Sequence, residues 1–102
     1  MIPLIEQHRE EVTALCRRYR VKRLDLFGSA AQGTFRPGES DLDFLVEFES
    51  LTPSEKKIAY FDLADDLERI FQRQIDLVVV SAIRNAFFRQ EIEETRVLLY
   101  AA

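Results

Sequence analysis

Gly28-Ser29 and, further along, Asp41 and Asp43 are the residues whose types and spacing could do chemistry. A Gly-Ser step at the end of the apolar stretch Leu26-Phe27 lets backbone N–H groups come close to a phosphate, and a helix starting there would add the positive end of its dipole. Asp41 and Asp43 lie two apart on a predicted strand, so their carboxylates share one face while Leu42, Phe44, Val46 and Phe48 take the other. Two carboxylates on an apolar strand repel, and burying both is costly unless a cation joins them. Mg²⁺ suits that place, because it is usually held by one or two carboxylates together with substrate phosphates. The turn and the acidic pair therefore predict one site for a metal-bound nucleoside triphosphate.

The elements that must hold this site can be read from the pattern around it. Val21 to Phe27 is predicted as a strand, with Asp25 in it as a structural or edge residue. A short helical stretch follows, closed by Gly33, and Thr34 to Ser40 is a loop with strong turn chemistry around Pro37-Gly38. Arg36 stands in that loop as either a cation for triphosphate oxygens or a surface arginine, and Ser40 fixes the turn by side-chain hydrogen bonding. Upstream, Leu4, Ile5, Val12, Leu15, Cys16 and Tyr19 predict one core-packing helix over residues 4 to 19. His8 at the edge of its stripe and Cys16 within it read as structure, not chemistry. Downstream, Thr52-Pro53-Ser54-Glu55 is a helix start, with Thr52 as cap, and the helix runs to about Gln72. Its Asp62, Asp65, Asp66 and Glu68 are read as a solvated face.

Gln74 to Val80 is a β-branched run that predicts a central strand buried on both faces. Asp76 inside it is either a strand-end residue bonded to a turn or a third acid facing Asp41 and Asp43. Ser81 to Glu94 is predicted as a final helix and Arg96 to Tyr100 as a closing strand. The order of elements predicts an α/β sandwich, a small mixed β-sheet flanked by helices, over a single domain spanning residues 1–102.

Composition narrows the function classes. A net charge of −4 argues against tight sequence-independent DNA or RNA binding, which relies on Lys and Arg replacing counterions. Arg17, Arg18, Arg20, Lys22 and Arg23 form a basic patch, read as a solvated helix end or a docking point for an acidic partner or nucleotide. The single Cys16 allows no internal disulfide, no apolar stretch approaches a membrane span, and Met1 to Glu11 is too charged for a signal peptide. The expectation is a cytoplasmic protein with no membrane partner.

The Gly28-Ser29 turn, Gly33 and the Ser40-Asp41-x-Asp43 strand resemble the signature of the polymerase-beta-type nucleotidyltransferase superfamily, and the compact length resembles its minimal nucleotidyltransferase branch. The chain departs from many members at Gln32, where they carry Arg. The resemblance implies the polymerase-beta-type fold and resolves Asp76 as the third carboxylate. It implies two Mg²⁺ ions held by Asp41, Asp43 and Asp76, ATP as substrate, and a phosphate-binding set of Gly28, Ser29, Gly33, Arg36 and Ser40. With nothing left to build an appended acceptor-binding domain, the acceptor comes from elsewhere. By resemblance it is a tyrosine hydroxyl of a HEPN-domain ribonuclease toxin, silenced by AMP transfer from this chain as antitoxin. Alternatives are a non-catalytic binding antitoxin, a nucleotidyltransferase acting on an aminoglycoside-like small molecule, and a module that binds its own operator DNA.

Overall fold

A computed structural model of the chain describes residues 2–36 and 38–102. Five helices and four strands run in the order α1 (Pro3–Gln7), α2 (Arg9–Arg18), β1 (Val21–Phe27), α3 (Ser29–Gln32), β2 (Leu42–Phe48), α4 (Pro53–Phe71), β3 (Ile75–Val79), α5 (Ala86–Thr95) and β4 (Val97–Ala101), with a 3₁₀ turn at Val80–Ala82. The strands form one mixed sheet ordered β3-β2-β1-β4. β1 is antiparallel to β2 and β4, while β2 and β3 are parallel and joined by the α4 crossover.

Alternation along β2 divides the sheet's two faces. Leu42, Phe44, Val46 and Phe48 are buried with Leu24 and Leu26 of β1, Leu77 of β3 and Leu99 of β4 under α1, α2 and α4. The opposite face buries Leu45 and Phe27 against Ile83 and Ile92, with Val78 and Phe88 packed alongside. Asp41 and Asp43 share that second face beyond the reach of its small cluster. Helix α4 starts where expected, because Thr52 and Glu55 close a reciprocal capping box and Pro53 occupies the first turn. Cys16 is fully buried, which pushes its thiol up to about 12, so it behaves as a small hydrophobe.

Four expectations need correction. The helix predicted over residues 4 to 19 is two helices, broken at His8 (φ −113°, ψ 15°). Periodicity misses the break because Ile5 on one side and Val12 and Cys16 on the other bury into the same core. His8 sets its ring edge-on to Phe71 at 5.3 Å and bonds Glu11 at 2.8 Å. The run at Gln74 to Val80 is an edge strand, Ile75–Val79, and not a central one. Its apolar composition reflects cover from α4 on one face and the small cluster on the other, and the Tyr60 hydroxyl donates to Leu77 O at 2.7 Å. The final helix begins only at Ala86, because the Asn85 side chain caps it by accepting from Phe87 N and Phe88 N. On α4, Asp66 is half-buried and takes both the Tyr19 hydroxyl and Arg69, so it is not simply solvated.

Three members of the basic patch are matched by acids in or just after β2 and in β1: Arg20 with Glu49 at 3.7 Å, Lys22 with Glu47 at 3.9 Å and Arg23 with Asp25 at 2.8 Å. Asp25 lies on an inner strand, 0% exposed, and is held from the far side by Arg96 of the α5–β4 junction. A buried charge loses far more when one partner is removed than when the whole pair is replaced. Arg96→Leu is therefore expected to destabilise the chain by about 3 kcal/mol, and Asp25→Leu combined with Arg96→Leu by less than the sum of the single changes. Urea unfolding of the three variants measures this.

Candidate active site

Local sequence sets the turn that opens the site. β1 ends at Phe27, and Gly28 follows with φ 70° and ψ −151°, a region only glycine occupies without strain. A Cβ built there would lie 3.1 Å from Asp43 Cγ and still closer to its Oδ2. The missing side chain is thus the space that the Asp43 carboxylate fills. Gly28 O accepts from Ala31 N and Gln32 N at 3.1 Å, which starts α3. Gly33 ends it in the left-handed conformation (φ 81°).

β2 and β3 bring in the acids. In their parallel register Asp43 faces Asp76, and Asp43 also lies opposite Phe27 of β1. Asp41 immediately precedes β2. Asp43 is half-buried, whereas Asp41 and Asp76 are exposed. The Asp43 carboxyl is pushed up to about 6, first by desolvation and then by the charges of Asp76 and Asp41. Acids from two strands therefore converge on one point, and Asp43 carries the strain of that convergence.

The other predicted residues sit around this point with different tasks. Ser40 Oγ accepts from Arg36 N at 3.0 Å, while Ser40 N and Glu39 N donate to Arg36 O at 2.9 and 3.0 Å, so Ser40 shapes the loop. The Arg36 guanidinium is exposed and pairs with Glu39 at 3.7 Å, not with the acids of the site. Ser29 is half-buried at the first position of α3. Pro37 of the predicted turn lies outside the described residues. Arg73, which nothing in the sequence pattern singled out, reaches Ser40 O and the Phe35 ring from the turn before β3. Its one sequence signal is its place three residues before Asp76.

The acids suit a hard divalent cation. Asp43 is raised first by desolvation and then by its acidic neighbours; a cation bound among them would offset both effects, and all the donors are oxygens. Among the described residues, no group of three His, Cys, Asp or Glu side chains closes up enough to hold an ion unaided. Mg²⁺ characteristically draws several ligands from substrate phosphates, so protein carboxylates need to supply only part of the shell. A surface hollow of about 610 Å³ elsewhere is apolar, lined by Leu51, Tyr60, Phe61, Leu77 and Val79, and none of the acids lines it.

A parallel strand pair that sets acids together beside a glycine-only turn, within a four-stranded mixed sheet, defines an α/β domain built to handle phosphates. The chain belongs to the nucleotidyltransferase domain family, whose model matches residues 8–99. A Methanocaldococcus jannaschii protein named "Putative protein adenylyltransferase" is 40% identical over 76% of this chain and 75% of its own length. A second of that name from the same organism is 37% identical over 84% of each. A solved structure described as a "putative minimal nucleotidyltransferase" matches with a TM-score of 0.77 and 28% identity, over 94% of this chain and 95% of that one. A structure described as a toxin–antitoxin with AMP-PNP matches at 0.70 and 25%, over 92% and 73%. The same fold is seen at 0.65 and 20% identity, over 95% and 72%, in a complex of the tri-AMPylated Shewanella oneidensis HEPN toxin with MNT antitoxin. The small mixed sheet with flanking helices is the polymerase-beta-like nucleotidyltransferase fold, and the chain is a nucleotidyltransferase. Among the described residues, no helix is long and apolar enough to cross a membrane.

Two outcomes follow from the geometry. Gly28→Ala is expected to cost about 1–3 kcal/mol, because it adds backbone strain and displaces the Asp43 carboxylate; chemical unfolding reads the cost. The raised Asp43 carboxyl means the native chain binds that proton more tightly than the unfolded chain, so metal-free stability falls as pH climbs from 3.8 through about 6. Asp43→Asn should then be more stable than the parent near neutral pH by on the order of 1 kcal/mol, once solvent screening is allowed for. The gain should vanish below 3.8, the ordinary value for the acid. Mg²⁺ added together with ATP should raise the parent's melting temperature and leave that of Asp43→Asn unmoved.

Proposed function

We propose that residues 1–102 act as one Mg²⁺-dependent nucleotidyltransferase domain, a cytoplasmic antitoxin that transfers AMP from ATP to a tyrosine hydroxyl of a cognate HEPN ribonuclease toxin. The observation that carries this reading is the placement of Asp41, Asp43 and Asp76 beside the Gly28 turn, where burial first and then the charges of Asp76 and Asp41 raise Asp43. The adenylyltransferase names of the relatives at 40% and 37% identity, and the AMP-PNP-bearing toxin–antitoxin neighbour, support the donor and the partner.

In this reading Asp41 and Asp43 hold two Mg²⁺ ions and Asp76 completes the set on the acceptor side. When bound, the ions offset phosphate charge and stabilise the attacking and departing oxygens of an in-line displacement. Gly28 and Ser29 hold the outer phosphates through the backbone of the turn and the start of α3. Gly33 and Ser40 shape the flanks of that cradle, and Arg36, exposed on its loop, can exchange Glu39 for a phosphate oxygen. Asp76, exposed at the start of β3, receives the proton of the acceptor hydroxyl. The hydroxyl oxygen bonds to the α-phosphorus, the bond to the bridging oxygen breaks, and pyrophosphate departs with its electron pair. A bulky anion on a tyrosine beside an RNA-cutting site then opposes both RNA approach and catalysis.

Incubation of the chain with ATP, Mg²⁺ and its HEPN toxin should raise the toxin's intact mass by whole adenylate units. Asp41→Asn and Asp43→Asn should each slow that gain by about 100-fold or more. A toxin that keeps its mass with the parent chain overturns the reading. Toxin neutralised equally well by the Asn variants shows inhibition by binding alone.

A further inference from the structure

Asp41 is exposed and lies outside β2, so side-chain packing does not hold it in place. Its backbone, however, is bracketed by two contacts from the adjacent residues Arg73 and Gln74. On one side Arg73 Nη1 donates to Ser40 O at 3.4 Å, and on the other Gln74 O accepts from Leu42 N at 3.3 Å. The peptide plane that enters Asp41 and the amide that follows it are both tied to the α4–β3 turn, and that turn leads directly into Asp76.

The Arg73 guanidinium makes a further contact at the other end of the loop. Its Cζ sits over the Phe35 ring, 5.0 Å from the centroid. The turn from Arg36 to Ser40 closes on itself through Ser40 N, Glu39 N and Ser40 Oγ, but those bonds fix its shape and not its place on the sheet. Arg73 holds both ends to the sheet. No carboxylate pairs with Arg73 among the described residues, and its Nε is buried without a hydrogen-bond partner. A buried N–H left unsatisfied costs free energy.

We propose that Arg73 is a positioning residue: by clamping Phe35 and the Ser40 carbonyl it sets where Asp41 stands relative to Asp43 and Asp76. The clamp itself is a property of the metal-free chain; its effect on metal binding rests on the function proposed above. Arginine is required because a lysine can donate to Ser40 O yet presents no flat face to Phe35.

Hydrogen exchange of the metal-free chain tests the clamp directly. Arg73→Met and Phe35→Leu should each speed exchange at the Ser40, Asp41 and Leu42 amides while leaving the amides of β1 and of β2 beyond Leu42 slow. Titration with Mn²⁺ in the presence of ATP, read by Mn²⁺ electron paramagnetic resonance, tests the consequence. Arg73→Met should weaken Mn²⁺ binding about 10- to 100-fold, as loss of an outer-shell partner does, and Arg73→Lys should recover part of it. In an Asp41→Asn background Arg73→Met should cause no further loss, because it acts through the carboxylate already removed. Unchanged exchange at Ser40 to Leu42 overturns the clamp, and losses that multiply in the double variant overturn its action through Asp41. Faster loop exchange in a chain that binds no Mn²⁺ at all establishes the clamp and overturns the proposed function instead.

Discussion

Mutual repulsion among acids that the backbone forbids to separate is the constraint on which this molecule turns. Asp43 and Asp76 occupy matching positions on parallel neighbours, and Asp41 stands two residues upstream of Asp43. Burial of Asp43 and the charges held beside it both disfavour its ionised form, and the carboxyl is displaced upward, first by desolvation and then by Asp76 and Asp41. The remainder of the fold supplies what is needed to tolerate that. Buried residues of β2 on both faces anchor the strand, and Gly28 leaves room for the carboxylate that would otherwise be expelled.

Charge is handled differently two residues along the same sheet face, where Asp25 lies opposite Leu45. Asp25 is enclosed more completely than any acid of the site, yet it sits between Arg23 and Arg96 and contributes to structure. The contrast between Asp25, matched by arginines, and Asp43, faced by acids, separates a carboxylate held for structure from the one proposed to bind metal. Burial alone would rank them in the wrong order.

Much of this was legible from residues alone, where one local rule decides the outcome. The Gly-Ser turn, the alternation from Leu42 to Phe48 and the box from Thr52 to Glu55 each depend on neighbours in sequence, and each stands where the pattern places it. What escaped depends on neighbours in space. An apolar run such as Ile75 to Val79 looks the same whether it has strands on both sides or helical cover and a free edge. The break at His8 hides because both helices bury into one core, and Asn85 acts as a cap only because the chain turns there. Arg73 resembles any other arginine until the loop holding Phe35 and Ser40 folds over it.

The crossover from β2 to β3 has a consequence for how such domains can change over time. Helix α4 is secured at its start by the Thr52 box and at its end by Gln72 in the left-handed conformation, so little slack remains within it. Because side chains alternate along a strand, gaining or losing one residue inside the paired strands would swing Asp76 beneath the helix and put an aliphatic neighbour in its place. Tolerance to length change therefore divides within the span: the loop before α4 can take up an added residue, whereas one added inside β2 or β3 after the acid's partner position would turn Asp43 and Asp76 to opposite faces.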